Sequence, residues 1–184
     1  MADFDIAMIG GGLTGCASAY YLSKSGARVI LLERGQINQC ASGQNAGSLH
    51  FQLEHRLIQD LELQVRELEY YVGLARLAIE QWRGIDDELG CDNQLSMNGG
   101  LMVAETPEQV TLLERKLLVE QSQGLAVELL DGEAVRKLAP YLYGRVIAAL
   151  HCPHEGHCNP RLLTPAFARK ALRLGAKLIT QATV

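Results

Sequence analysis

The sequence predicts an α/β fold, with a parallel sheet at the front of the chain and an α+β segment inserted behind it. Three observations carry this. Two short apolar runs, Asp5–Ile9 and Arg28–Leu32, flank a glycine cluster and a helical stretch rich in small residues, a β-α-β order. A tract from about Glu54 to Leu89 repeats apolar residues at steps of three and four. The 184 residues are 48% hydrophobic and 21% charged, the balance of a globular chain able to bury a core.

The elements follow in order. Asp5–Ile9 is a buried parallel strand, Leu13–Ser25 a helix ended by Gly26, and Arg28–Leu32 a second buried strand closed by Glu33. Cys40 to Ser48 reads as a polar, glycine-containing loop. The helical tract carries Ile58, Leu61, Val65, Leu68, Val72, Ala75, Ile79, Trp82, Ile85 and Leu89 on one face, with break points at Gly73 and Gly84. Gln94–Ala104 is a strand or hairpin turning at Asn98-Gly99-Gly100. Thr106-Pro107-Glu108 starts a helix that stops at Gly124. Asp131-Gly132-Glu133 opens a short helix, Val146–Cys152 is a strand, Pro160–Leu174 a helix, and Lys177–Val184 a last strand. A chain ending on a core strand reads as the front of a longer protein, so these residues alone are expected to be poorly soluble.

Charge excludes some functions. Seventeen basic residues against 21 acidic ones give a net charge of −4, without the basic footprint of a nucleic-acid binder, and 5% aromatic content offers little surface for base stacking. Ile6–Ser23 is uncharged, but glycines interrupt it and Asp3 and Asp5 precede it, which fits neither a signal peptide nor a transmembrane span. Five scattered cysteines do not suggest a disulfide framework, and the expected location is the cytoplasm.

Gly10-Gly11-Gly12-Leu13-Thr14-Gly15 fits G-x-G-x-x-G between a strand and a helix, with Glu33 about twenty residues on. The glycines allow a tight turn, close approach of a pyrophosphate and close helix packing. The helix N-terminus attracts the phosphates, and the acid accepts ribose hydroxyls. This context predicts a Rossmann-like dinucleotide site, and the acid disfavours a 2′-phosphate. The fingerprint leaves NAD and FAD open.

Four segments resemble the FAD-dependent amine and amino-acid oxidoreductases of the D-amino-acid oxidase type: Ile6–Gly15, Glu33-Arg34-Gly35, Ala41–Gly47 and Glu155–Pro160. The group includes glycine and sarcosine oxidases and the flavin subunits of opine and proline dehydrogenases. The resemblance implies FAD as cofactor and a discontinuous FAD-binding domain over 1–53 and 145–184. Residues 54–144 would be an insertion contributing to the substrate domain. Its implied cofactor contacts are Gly10, Gly12, Leu13, Thr14, Gly15, Glu33, Arg34, Ser42, Gly43, Gln44, Asn45, Ala46, Gly47, Ser48 and Val184. The Ser42–Ser48 loop would lie along the pyrophosphate and flavin, and Val184 would meet the adenine through its backbone. Gln44 stands where the family commonly has arginine.

Other clusters weigh less. His151-Cys152-Pro153-His154-Glu155-Gly156-His157-Cys158 is rich in metal-ligating types but lacks finger or ribbon spacing, and it coincides with a turn of the family, so no metal site is expected. His50 follows the flavin loop and reads as a partly exposed residue at the start of the insertion rather than a catalytic or flavin-linked one. Cys16 sits near a helix N-terminus and reads as packing. Leu61, Val65, Leu68 and Val72 read as an intradomain helix face rather than a coiled-coil seam.

The resemblance implies oxidation of the C–N bond of an amino acid or secondary amine, by hydride transfer to flavin and hydrolysis of the imine. Electrons would pass to oxygen, a quinone or a partner subunit. No catalytic residue is assigned. The alternatives are another flavoprotein with two dinucleotide folds, an NAD-dependent dehydrogenase, or a flavin-binding chain without turnover.

Overall fold

The computed structural model describes residues 3–54, 65–142 and 144–184. Its backbone clusters into two compact units. One comprises residues 1–48, 85–95 and 157–184, the other 49–84 and 96–156. Among the described residues no helix is long and apolar enough to cross a membrane.

The first unit holds β1 (Ile6–Ile9), α1 (Leu13–Lys24), β2 (Val29–Leu32) and the single helical turn α2 (Ala41–Gln44). Strand β2 pairs in parallel with β1, Ile6 opposite Val29 and Ile9 opposite Leu32. The loop expected from Cys40 to Ser48 thus contains a helical turn, closed by the Gly43 N–H donating to the Cys40 carbonyl. A two-residue strand, β3 (Ser48–Leu49), follows.

Helix α3 (Val65–Arg83) then leads to the short α4 (Ile85–Leu89), and the break falls at Gly84. Gly73 lies inside α3 without interrupting it. Leu68, Val72, Ala75 and Ile79 of the apolar stripe are buried, so that face packs within the chain. Ile58 and Leu61 fall outside the described residues.

In the second unit β4 (Gly100–Ala104), β5 (Glu128–Asp131) and β6 (Ala148–Cys152) form an antiparallel sheet in the order β4-β6-β5. Of the strand or hairpin expected over Gln94–Ala104, the strand forms as β4, and its partner is β6, Gly100 opposite Cys152. Helix α5 (Pro107–Ser122) starts where Thr106 Oγ1 accepts the Gln109 N–H, and α6 (Gly132–Leu138) where Asp131 accepts from Ala134. Val135, Val146 and Ala149 form a buried cluster with Leu101, Leu130 and Leu142 against it.

The two-residue strand β7 (Gly156–His157) pairs with β3. Helix α7 (Pro160–Arg173) returns the chain to the first unit, capped by Asn159, whose side chain accepts the Arg161 N–H. It packs on α1 through Tyr20 and Phe167, ring centroids 5.7 Å apart. The last strand, β8 (Lys177–Ile179), adds to β2 in parallel, giving the order β1-β2-β8. It is shorter than the expected Lys177–Val184. At Gln181 the backbone turns to φ 56°, and the N–H groups of Gln181 and Ala182 donate to the carbonyls of Gly35 and Glu33 instead of continuing the ladder.

Candidate functional site

The site grows from the β1–α1 turn. Gly10 takes φ +104°, a conformation that costs glycine nothing, and turns the chain into α1. A side chain at Gly15 would strike the Gly10 carbonyl oxygen at 1.9 Å, so this glycine lets the helix lie on the turn. At Gly12 a Cβ would meet Ser42 Oγ at 2.8 Å, and at Gly11 it would meet Ile37 at 2.4 Å. The turn is therefore a cradle in which the backbone itself excludes a side chain at Gly15, while side chains crowd Gly11 and Gly12.

The helix N-terminus is left open. Gly12 offers no side-chain cap and the first turn of α1 holds no acid. Ser42 Oγ, from the next loop, accepts the Leu13 N–H at 3.0 Å. A helix start that keeps free N–H groups, with no acid in its own first turn, attracts an anion. These features fit the pyrophosphate of a dinucleotide.

Glu33 stands at the end of β2. Its Oε2 accepts the Gly11 N–H at 2.6 Å and its Oε1 the Gly35 N–H at 2.6 Å. These two backbone donors, Gly35 first and Gly11 second, hold its carboxyl below the usual carboxylate range. An ionised carboxylate has about four lone-pair positions, so each oxygen keeps acceptor capacity for a hydroxyl.

The Ser42–Ser48 loop is shaped by close backbone contacts. A Cβ at Gly43 would hit the Asn38 carbonyl oxygen at 1.9 Å, and at Gly47 (φ +74°) the Cys158 carbonyl oxygen at 2.0 Å. Asn45 Oδ1 accepts the Gly47 N–H and its Nδ2 donates to the Ser42 carbonyl. Gln44 donates to the Gln39 carbonyl and stays exposed, so it brings no positive charge. Ala46 and Ser48 are exposed. A polar hollow of about 400 Å³ lies between Gly43–Ala46 and the His157–Arg161 turn.

Of the residues expected to meet a cofactor, Gly10, Gly12, Leu13, Thr14, Gly15, Glu33 and Ser42 come together around the turn, and Gly43 to Ser48 continue from it. Arg34 is exposed beside Glu33. Val184 lies beyond β8 and is exposed.

Two residues escaped the sequence reading. Gly11, a member of the fingerprint, gives its N–H to Glu33. Asn38, at φ 66°, donates its N–H to the Gly11 carbonyl and its Nδ2 to the Pro160 carbonyl, and its Oδ1 is buried without a partner. An asparagine between two polar loops, able to adopt a left-handed backbone, was the available signal.

The other clusters resolve separately. Cys16 is fully buried, and burial, with Glu33 nearby, pushes its thiol up to about 11, so it is a packing residue. His50 is exposed. His151 pairs with Glu128, and Glu155 accepts the N–H groups of Phe51 and Gln52. Among the described residues no three potential metal ligands converge.

The profile of the FAD dependent oxidoreductase family, DAO, matches residues 5–184. Human mitochondrial sarcosine dehydrogenase is 27% identical over 186 residues, covering 98% of this chain and 18% of that protein. The L-proline dehydrogenase of P. horikoshii superposes with a TM-score of 0.86 at 26% identity, covering 99% of this chain and 45% of that one. Glycine oxidase from Geobacillus kaustophilus gives 0.83 at 27%, covering 98% and 47%. The chain thus spans less than half the length of these relatives.

Proposed function

The chain belongs to the DAO family of FAD-dependent oxidoreductases, and from that premise we propose that it is the FAD-binding part of an enzyme oxidising the C–N bond of an amino acid or secondary amine. The observation that carries the reading is the glycine cradle at the start of α1, where Gly12 offers no side-chain cap, with Ser42 and Glu33 held beside it. FAD, when bound, supplies the hydride acceptor, and the imine formed from the substrate hydrolyses in water.

The chain's own residues bind and orient. The Gly12–Gly15 start of α1 holds the pyrophosphate by N–H groups and helix dipole. Ser42, already accepting from Leu13, keeps its hydroxyl proton to donate to a phosphate oxygen. Glu33 accepts the ribose hydroxyls while Gly11 and Gly35 fix its oxygens. Arg34 and the backbone of Val184 complete the nucleotide end. Gly43 to Ser48 line the cofactor beyond the phosphates, and Gln44 leaves that stretch uncharged. On this reading the discontinuous FAD domain spans residues 1–53 and 145–184, with 54–144 contributing to the substrate domain, whereas the compact first unit differs, comprising 1–48, 85–95 and 157–184. Sarcosine dehydrogenase, proline dehydrogenase and glycine oxidase as relatives support a small amine or amino acid as substrate. Oxygen, a quinone or a partner subunit takes the electrons, in the cytoplasm.

The visible spectrum of the protein purified from its complete reading frame tests this. Two flavin bands, with FAD released by acid, are expected, followed by bleaching with an N-alkyl amino acid. A folded, colourless protein that takes up no added FAD would overturn the reading.

A further inference from the structure

In the second unit a groove of about 390 Å³ runs along α3 beside the Gly124–Ala126 turn and His154. Its lining holds two guanidinium groups, Arg76 and Arg83, and an imidazole, against one carboxylate, Glu80. That balance is positive in a chain of net charge −4.

Both arginines are held in place. Arg76 Nη1 donates to the Gln123 carbonyl at 3.0 Å. Its guanidinium lies against Gly124, where a Cβ would come within 3.2 Å of Cζ and Nη1. Arg83 Nη1 donates to Glu80 at 2.7 Å, and Nη2 lies 3.2 and 3.3 Å from the two ring nitrogens of His154. A guanidinium only donates, so the ring nitrogen that carries no proton is the one that accepts. Each guanidinium carries five N–H donors, so donors remain on both.

Arg76 and Arg83 are seven residues apart, two helical turns, so they share a face about 10 Å apart along the axis. Leu77 and Leu125 line the same groove. A guanidinium fork matches a carboxylate in shape and charge.

We propose that this groove binds a small organic anion with carboxylate groups, recognised by Arg76 and Arg83, its aliphatic body resting on the exposed Leu77. The site is independent of the FAD reading. It uses His154, from the cluster that metal chemistry left unexplained.

The test is calorimetric titration of the complete, flavin-loaded protein with glutarate, butyrate and inorganic phosphate. Glutarate is expected to saturate one site, and butyrate to bind about tenfold more weakly, one guanidinium being left unused. Arg76→Gln and Arg83→Gln should each weaken glutarate about tenfold or more, with the flavin spectrum and amine turnover unchanged. Arg83→Lys keeps the charge but loses the fork, and should weaken it as well. No saturable heat with glutarate overturns the proposal, as does glutarate binding that survives all three substitutions. Phosphate binding more tightly than glutarate overturns the carboxylate assignment.

Discussion

Lys116 and Glu120 are fully buried one turn apart on α5, their charged atoms 2.7 Å apart. Lys116 also donates to Gln52 Oε1, and Glu120 accepts the Leu53 N–H. Burial pushes the lysine pKa down and the glutamate pKa up, so the pair survives only because each partner compensates the other. Lys116→Met should destabilise the protein by about 3–5 kcal/mol, read as a lower urea midpoint. Lys116→Met/Glu120→Leu should cost less than the sum of the single changes, and strict additivity would show the two are uncoupled. Glu33 makes the opposite case. Its carboxyl is held down by the Gly35 and Gly11 N–H groups, so its contribution is present above the ordinary carboxylate pKa and is lost as pH falls through its folded value. Glu33→Gln should flatten the loss of stability below about pH 4.5 and weaken FAD by about 10–100-fold. An unchanged acid limb would mean the two N–H contacts do not hold in solution.

At the scale of elements, the glycines of the turn are not equivalent. A methyl at Gly15 collides with a backbone carbonyl that cannot move without displacing β1 from α1. A methyl at Gly12 meets only the hydroxyl of Ser42, which can rotate away at the expense of its bond to Leu13. Gly15→Ala should therefore cost more than about 3 kcal/mol and leave little folded protein. Gly12→Ala should fold and bind FAD more weakly, and equal thermal midpoints for the two variants would refute the distinction. Much of this was legible in the sequence. The β1-α1-β2 unit, the caps at Thr106 and Asp131 and the stop at Gly124 rest on local chemistry that needs no partner. Strands β3, β5 and β7 were not legible. Two are only two residues long, and Glu128–Asp131 becomes a strand because β6 offers it an edge. The partner that β4 takes was hidden for the same reason, since pairing is a property of the sheet and not of the turn. In the candidate site the glycines and Glu33 announce themselves, whereas Asn38 acts through backbone geometry that its sequence neighbours do not encode.

At the scale of the whole molecule, the described residues bury one face of the first unit's parallel sheet and leave the other partly exposed. Val29 and Leu31 point into the core, while Ala7 and Ile9 on the neighbouring strand alternate outward. Ile9 is 69% exposed, and Ile179 on β8 is exposed on the same side as Leu32, its partner in the ladder. Parallel sheets are found with both faces covered, because their strands are apolar on both sides. Among the described residues β1 is also an edge, paired only with β2. A partly exposed apolar face next to an open edge favours association of one copy with another over staying in water. Residues 1–184 made as a separate polypeptide should therefore sediment as oligomers or aggregates at micromolar concentration. Ile9→Lys should shift that polypeptide toward monomer, since a charge on the open face opposes stacking without entering the core. The same substitution in the complete protein should lower its thermal midpoint if that face is covered there. A monomeric 184-residue chain unfolding in one cooperative step would show that this sheet tolerates an open face, and the position of Ile9 would then carry no cost.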